Sequence, residues 1–132
     1  MWTSDLSSII FTKIKVQFSI SIKKKYPDLY FTNSDKVQKL PKFPTVYIHE
    51  MGSAERGNDL ENSEINAALS TFQIDVTDNQ SQNRANEVMG EVVRIMKSMR
   101  FSVVTMPEFQ NTDSAYRSVA RFRRAIAEND IL

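Results

Sequence analysis

The sequence predicts one α+β domain, in which helices cover one face of a mainly antiparallel sheet. Segments with helical spacing of apolar residues are separated by segments rich in β-branched and aromatic residues that alternate polar and apolar positions. The predicted order is helix, two or three strands, helix, two strands. With 132 residues, 41% hydrophobic and 25% charged, the chain can bury one core, and we expect a single domain over residues 1–132.

The N-terminal segment 4–25 carries two superimposed patterns. Apolar residues recur every four positions as on a helix, and over 14–22 they also alternate with polar residues as in a strand. A length of about 20 residues before Pro27 is typical of a helix, and the lysines at 23–25 would lie at the negative end of its dipole. We therefore predict a helix.

This helix has a second apolar row on roughly its opposite side. The row consists of Ile9, Val16 and Ile20. A helix that is apolar on two sides is either deeply buried or shared with another chain.

The middle of the chain is predicted to form strands separated by a long loop. Residues 45–49 are β-branched and aromatic, and a shorter strand is predicted at 29–31. Residues 52–66 hold no aromatic side chain and one arginine against four carboxylates, a net charge of −3. We predict a long polar loop here. The acidic residues are Glu55, Asp59, Glu61 and Glu64.

The remaining elements have clearer patterns. Phe72, Ile74 and Val76 alternate with polar residues, which predicts a half-buried strand. Apolar residues at spacings of three and four predict an amphipathic helix at about 80–99, capped by residues 79–81. Strands at 101–106 and 116–126 are predicted to form a terminal hairpin.

The composition excludes several kinds of chemistry. The chain has no cysteine, so thiolate catalysis, Fe–S clusters and disulfide frameworks are ruled out. The only histidine, His49, precedes Glu50, but Ser53 stands where a zinc-binding H-E-x-x-H helix needs its second histidine. Three glycines cannot build a nucleotide-binding loop, and no G-x-S-x-G motif is present. We predict no enzyme, no metal and no cofactor.

Other candidate features have simpler interpretations. Asp59 and Glu61 could act as an acid/base pair only if desolvated, which a polar loop does not provide. The methionines at 89, 96 and 99 have core spacing. The apolar run at 9–11 is far shorter than the about 20 residues that span a bilayer. We expect a soluble, unprocessed protein.

The last predicted strand is basic. Arg117, Arg121 and Arg123 alternate onto one face, with Arg124 on the other. This face could be a solvated surface, a contact for an acidic protein partner, or a contact for phosphates. The net charge of 17 − 16 = +1 and the lack of aromatic residues among these arginines give little support to a dedicated nucleic-acid binder.

Several short segments carry a resemblance to a known family. They are Lys25-Tyr26-Pro27, Phe43-Pro44-Thr45-Val46-Tyr47-Ile48-His49-Glu50, Phe72-Gln73-Ile74-Asp75-Val76, Met99-Arg100-Phe101 and Arg117-Ser118-Val119-Ala120-Arg121-Phe122. In this order, over roughly residues 5–126, the chain resembles the small tail-terminator (tail-completion) proteins of long-tailed bacteriophages. The resemblance implies an α+β protein that forms a hexameric ring, caps the tail tube and joins it to the neck, without catalysing a reaction.

The partners follow as expectations from this resemblance. The partners would be further copies of the chain in a ring, the tail tube protein and a neck or head-completion protein, with no membrane and at most passive contact with DNA. The protein would be assembled in the bacterial cytoplasm and located in the tail or neck of the virion. We hypothesise that Arg117, Arg121 and Arg123 meet the acidic residues of 52–66 on an adjacent subunit or the tube. The second apolar row would form a subunit interface.

Two alternatives remain open. A head-closure or other neck protein would have a similar size and no catalytic residues. A small nucleic-acid-binding module would use the arginine face instead.

Overall fold

The chain forms one mixed sheet with helices on one face, as a computed structural model shows. The structure describes residues 5–34, 42–58, 65–127 and 130–132. In these residues the elements are α1 (Leu6–Gln17), α2 (Ile20–Lys25), β1 (Tyr30–Thr32), β2 (Thr45–Asn58), β3 (Ile65–Asp78), α3 (Gln82–Ser98), β4 (Ser102–Phe109) and β5 (Tyr116–Ala127). The strand order is β1-β2-β3-β5-β4; β1 and β2 are parallel, and the other pairs are antiparallel. The predicted α+β class is confirmed.

The core lies between the helices and one face of the sheet. Strand alternation turns every second residue of β2, β3 and β5 toward the helices. The sheet supplies Val46, Ile48, Phe72, Ile74, Val76, Ala120 and Phe122, and the helices supply Leu6, Ile10, Ile14, Val88, Met89, Val92, Ile95 and Met96. The predicted faces of β3 and of the helix at about 80–99 are therefore correct.

The N-terminal helix is present, but it is broken into α1 and α2. Phe18 and Ser19 have extended backbone between them. The Phe18 ring is buried and makes an edge-to-face contact with Phe31 at 5.1 Å between ring centroids. The break leaves the Ser19 N–H without a helical acceptor, and it donates to Glu91 Oε2 of α3 at 2.9 Å. Anchoring by tertiary contacts outweighs the continuous helical pattern here.

The predicted polar loop at 52–66 is wrong over most of its length. β2 continues to Asn58 and β3 begins at Ile65, in a long hairpin whose register runs from Thr45 opposite Thr77 to Asn58 opposite Ile65. The register shifts once, between Glu50 and Gly52. Antiparallel pairing satisfies the backbone whatever the polarity of the side chains, so a polar segment can still be a strand.

The C-terminal half follows the prediction with one change. Ser81 caps α3 as expected, its Oγ accepting the Arg84 N–H at 3.2 Å. β5 matches the predicted strand, whereas β4 runs past Pro107 to Phe109. Proline is tolerated there because β4 is an edge strand, with a free side that needs no N–H donor.

Candidate interaction surfaces

The second apolar row of the N-terminal helices lies at the protein surface. Ile9, Val16 and Ile20 are 44%, 71% and 71% exposed. On α1 the residues that face the core are Leu6, Ile10 and Ile14. α1 therefore carries one apolar side inside the subunit and a second one outside it. We call the exposed residues Ile9, Val16 and Ile20 the helical row.

The arginines of β5 lie on the sheet face turned away from the helices. In the β3–β5 register, Arg117 is opposite Thr77, Arg121 is opposite Gln73 and Arg123 is opposite Thr71. Val119 shares this face and is nevertheless almost fully buried. We call this side of the sheet the outer face.

A chain of hydrogen bonds joins two of these arginines across β3. Arg117 Nη2 donates to Asp75 Oδ2 at 2.6 Å, and Gln73 Nε2 donates to the other oxygen, Oδ1, at 3.0 Å. Arg121 Nε donates to Gln73 Oε1 at 3.0 Å. The charge of Arg117 is thus balanced within the subunit by the buried Asp75. Arg121 and Arg123 are the two predicted interface arginines that stay exposed.

The outer face also carries two aromatic rings. Tyr47 is opposite Asp75, and His49 is opposite Gln73, in the β2–β3 register. Their rings stack with 4.4 Å between centroids and 9° between planes. The arginine face of β5 has no aromatic residue of its own, but the sheet places these two rings on the same face, two strands away on β2.

The predicted acidic partners divide into two groups. Glu55 lies in β2 opposite Ala68 of β3, a residue that also pairs with Ile126 of β5. This register level is beyond those of Arg121 and Arg123, so pairing across the sheet does not place Glu55 beside either arginine. The other three, Asp59, Glu61 and Glu64, lie outside the described residues.

A further apolar surface lies along the edge strand β4. Val104, Met106 and Phe109 are all exposed large side chains. The residue pattern at 101–106 predicts a strand but not its edge position. Pro107 was the available signal, because proline within a strand pattern favours an edge position.

A cavity of about 760 Å³ lies between the end of α2 and the start of α3. Lys25 Nζ is 2.8 Å from Glu87 Oε2, and the hydrogen bond and charge of Glu87 raise the pKa of Lys25. Arg84 stands 4.9 Å from the Tyr26 ring centroid and 3.3 Å from Asp78 Oδ1. Lys25 pairs with Glu87, and Arg84 pairs with Asp78, so part of the charge on the cavity wall is balanced within the chain.

Metal-binding groups, membrane-spanning helices and similarity to known proteins can each indicate function. Among the described residues, no three histidine, cysteine, aspartate or glutamate side chains are grouped to hold a metal ion. None of the described helices is long and apolar enough to cross a membrane. The chain matches no protein-family model, and no curated protein matches its sequence.

Proposed function

We propose that this chain is a tail terminator, a structural virion protein that forms a ring on the tail tube. The observation that carries the proposal is the helical row, because α1 already buries its other apolar side within the subunit. Ile9 and Val16 lie seven residues apart on α1, and Ile20 begins α2 beyond the break. Large exposed apolar side chains of this kind are expected where a second chain covers them. The resemblance to tail terminators supplies the kind of assembly.

The apolar surfaces suit a head-to-tail contact. α1 packs against α3 and β2, whereas β4 forms one edge of the sheet. The helical row and the exposed residues of β4 are therefore two different patches. A ring needs such heterologous contacts, in which one patch of each subunit meets another patch of the next.

The charged residues would set the register of the contact. Arg121 and Arg123 would face the acidic residues Glu55, Asp59, Glu61 and Glu64 of an adjacent subunit or of the tail tube. Opposite charges across an interface steer partners and select orientation more than they add affinity. Arg117 contributes indirectly, because its ion pair with Asp75 orders the outer face.

Function would arise from steric capping, without catalysis. A ring docked on the last ring of the tube covers the edge to which the next tube subunit would add. Its opposite side offers the joining surface for the neck. No bond is made or broken in this mechanism, which accords with the absence of cysteine and the single histidine in the sequence.

Two alternatives remain, and one of them has an observation in its favour. A head-closure or other neck protein would use the same exposed patches. A nucleic-acid-binding module is favoured by the stacked Tyr47 and His49 on the same face as Arg121 and Arg123. Duplex binding with a steep dependence on salt would support that module.

Native mass spectrometry of the purified chain tests the ring. The wild-type protein should form a closed oligomer, and the triple variant I9S/V16S/I20S should be monomeric with unchanged circular dichroism. Met51→Ser is the matched control, since Met51 is also an exposed apolar residue but lies on β2. A monomeric wild-type protein, or a ring that survives the triple substitution, would contradict this interface.

A further inference from the structure

The turn between α3 and β4 has an arginine where the backbone favours glycine. Arg100 has φ of 66°. Its N–H donates to Lys97 O at 2.9 Å, and the Phe101 N–H donates to Met96 O at 3.0 Å. This pair of bonds is the Schellman motif, whose left-handed residue is usually glycine because a Cβ is disfavoured there. Arg100 therefore occupies a position that glycine would fill with less backbone strain.

Arg100 lines a shallow cavity together with two arginines of β5. The cavity, about 460 Å³, is bordered by Arg100, Arg123 and Arg124, with Leu69, Ser102, Val104 and Ala125 completing it. β4 begins at Ser102, which pairs with Arg123, so the described β4 offers β5 no partner beyond that point. Side chains from both faces of β5 can then reach the same cavity. We call Arg100, Arg123 and Arg124 the arginine cluster.

The cluster has an excess of positive charge, and one of its three arginines is desolvated. The Arg124 side chain is only 10% exposed; its Nη1 donates to Met99 O at 3.1 Å, and Nη2 lies 3.4 Å from Asp130 Oδ2. Burial lowers the pKa of Arg124, the charge of Arg100 lowers it further, and Asp130 opposes both. Arg100 Nη2 donates to Ile131 O at 2.5 Å.

Arg123 completes the cluster; it lies on the outer face and is exposed, as Arg100 is. The described residues that line the cavity or pair with its lining include three guanidinium groups and one carboxylate, that of Asp130. The net charge is therefore +2, and a bound anion would relieve the repulsion between like charges.

We infer that the arginine cluster binds a phosphate group. The planar donors of arginine match phosphate oxygens two at a time. A phosphate monoester carries a charge of about −1.5 to −2 near pH 7, which fits the +2 of the cluster better than one carboxylate does. The apolar wall of Leu69, Val104 and Ala125 would contact the organic part of a phosphate ester. The phosphate site shares Arg123 and Val104 with the proposed ring contact, but its test measures phosphate affinity and not oligomeric state.

Titration of the full chain with inorganic phosphate at low ionic strength, followed by NMR and calorimetry, tests the inference. We expect saturable binding that Arg123→Gln and Arg100→Gly each weaken roughly tenfold, because each removes a charge-assisted contact. Arg100→Gly suits the left-handed turn, so loss of folding would not obscure the result. Arg121→Gln is the matched control, an exposed arginine two residues earlier on the same face that does not border the cavity.

Competition identifies the source of the phosphate. A short DNA duplex that displaces inorganic phosphate with the same arginine dependence would indicate backbone phosphates; failure to displace it would indicate free phosphate or a small phosphate ester. The inference is overturned if phosphate does not bind saturably, or if Arg121→Gln weakens binding as much as Arg123→Gln. It is also overturned if a hexaglutamate peptide binds through these arginines while phosphate does not, since the ligand would then be an acidic protein segment.

Discussion

Replacing Glu91 with glutamine should loosen the junction between α1 and α2. The Glu91 side chain is 6% exposed and accepts two hydrogen bonds, from the Ser19 N–H and from Arg94 Nε. The same carboxylate raises the pKa of Arg94 through its hydrogen bond and its charge. Because Val16 and Ile20 lie on either side of the junction, Glu91 also sets how the helical row is presented.

The magnitude follows from the Ser19 bond. A hydrogen bond to a charged group contributes about 1.5–3 kcal/mol, and a neutral one about 0.5–1.5 kcal/mol. Glu91→Gln makes the acceptor neutral and turns an amide N–H₂ toward one of two existing donors, so we expect a loss of about 1–2 kcal/mol in the free energy of unfolding. For a chain of this length, this corresponds to roughly 5 °C in Tm.

Chemical denaturation followed by circular dichroism measures the loss. Glu87→Gln is the control, one helical turn earlier on α3 and in an exposed pair with Lys25. It should leave the denaturation midpoint nearly unchanged, because exposed ion pairs contribute little, while lowering the raised pKa of Lys25 toward its ordinary value. Equal effects of the two substitutions would refute the assignment of Glu91 to the junction.

Three further predictions concern other parts of the fold. Asp78→Asn should lower stability by about 2 kcal/mol in thermal denaturation, because the buried carboxylate accepts the Gln80 and Ser81 N–H groups and pairs with Arg84; an unchanged Tm would contradict this role. Arg117→Met should lower the free energy of unfolding by about 1–2 kcal/mol in the same assay. This is less than for a fully buried pair, because Arg117 is 30% exposed beside Asp75. A neutral result would mean that water replaces the guanidinium. M106S/F109S should reduce ring formation in light scattering without changing the melting of the subunit, and intact rings would remove β4 from the interface.

The fold class could be predicted because its signals are local. The alternation around Ile74 and the helical spacing around Val92 each specify an element and the face it buries, and Ser81 is a cap by residue type. The break at Phe18 could not be predicted, because it depends on Phe31 and Glu91, which are distant in sequence. A continuous helical pattern gives no sign of such tertiary anchors.

The length of β2 illustrates a second limit. Its outer half is polar and glycine-containing, so composition indicated a loop, but the backbone pairing of a hairpin does not require apolar side chains. The interaction surfaces also include parts that the sequence predicts and parts that depend on tertiary structure. The helical row could be found from the sequence, because its residues lie on a second apolar side of the helical pattern. The pairing of Arg117 with Asp75 could not, because it depends on the register of β3 and β5. The proximity of Arg100 to Arg124 could not either, because it depends on the turn after α3.

Electron microscopy of phage lysates made without this protein tests its proposed role as a tail terminator most directly. Tails should be longer than normal, since nothing would cover the growing edge of the tube. Normal length should be restored by the wild-type chain and not by I9S/V16S/I20S. Tails of normal length that fail to join heads would contradict termination and favour a neck component.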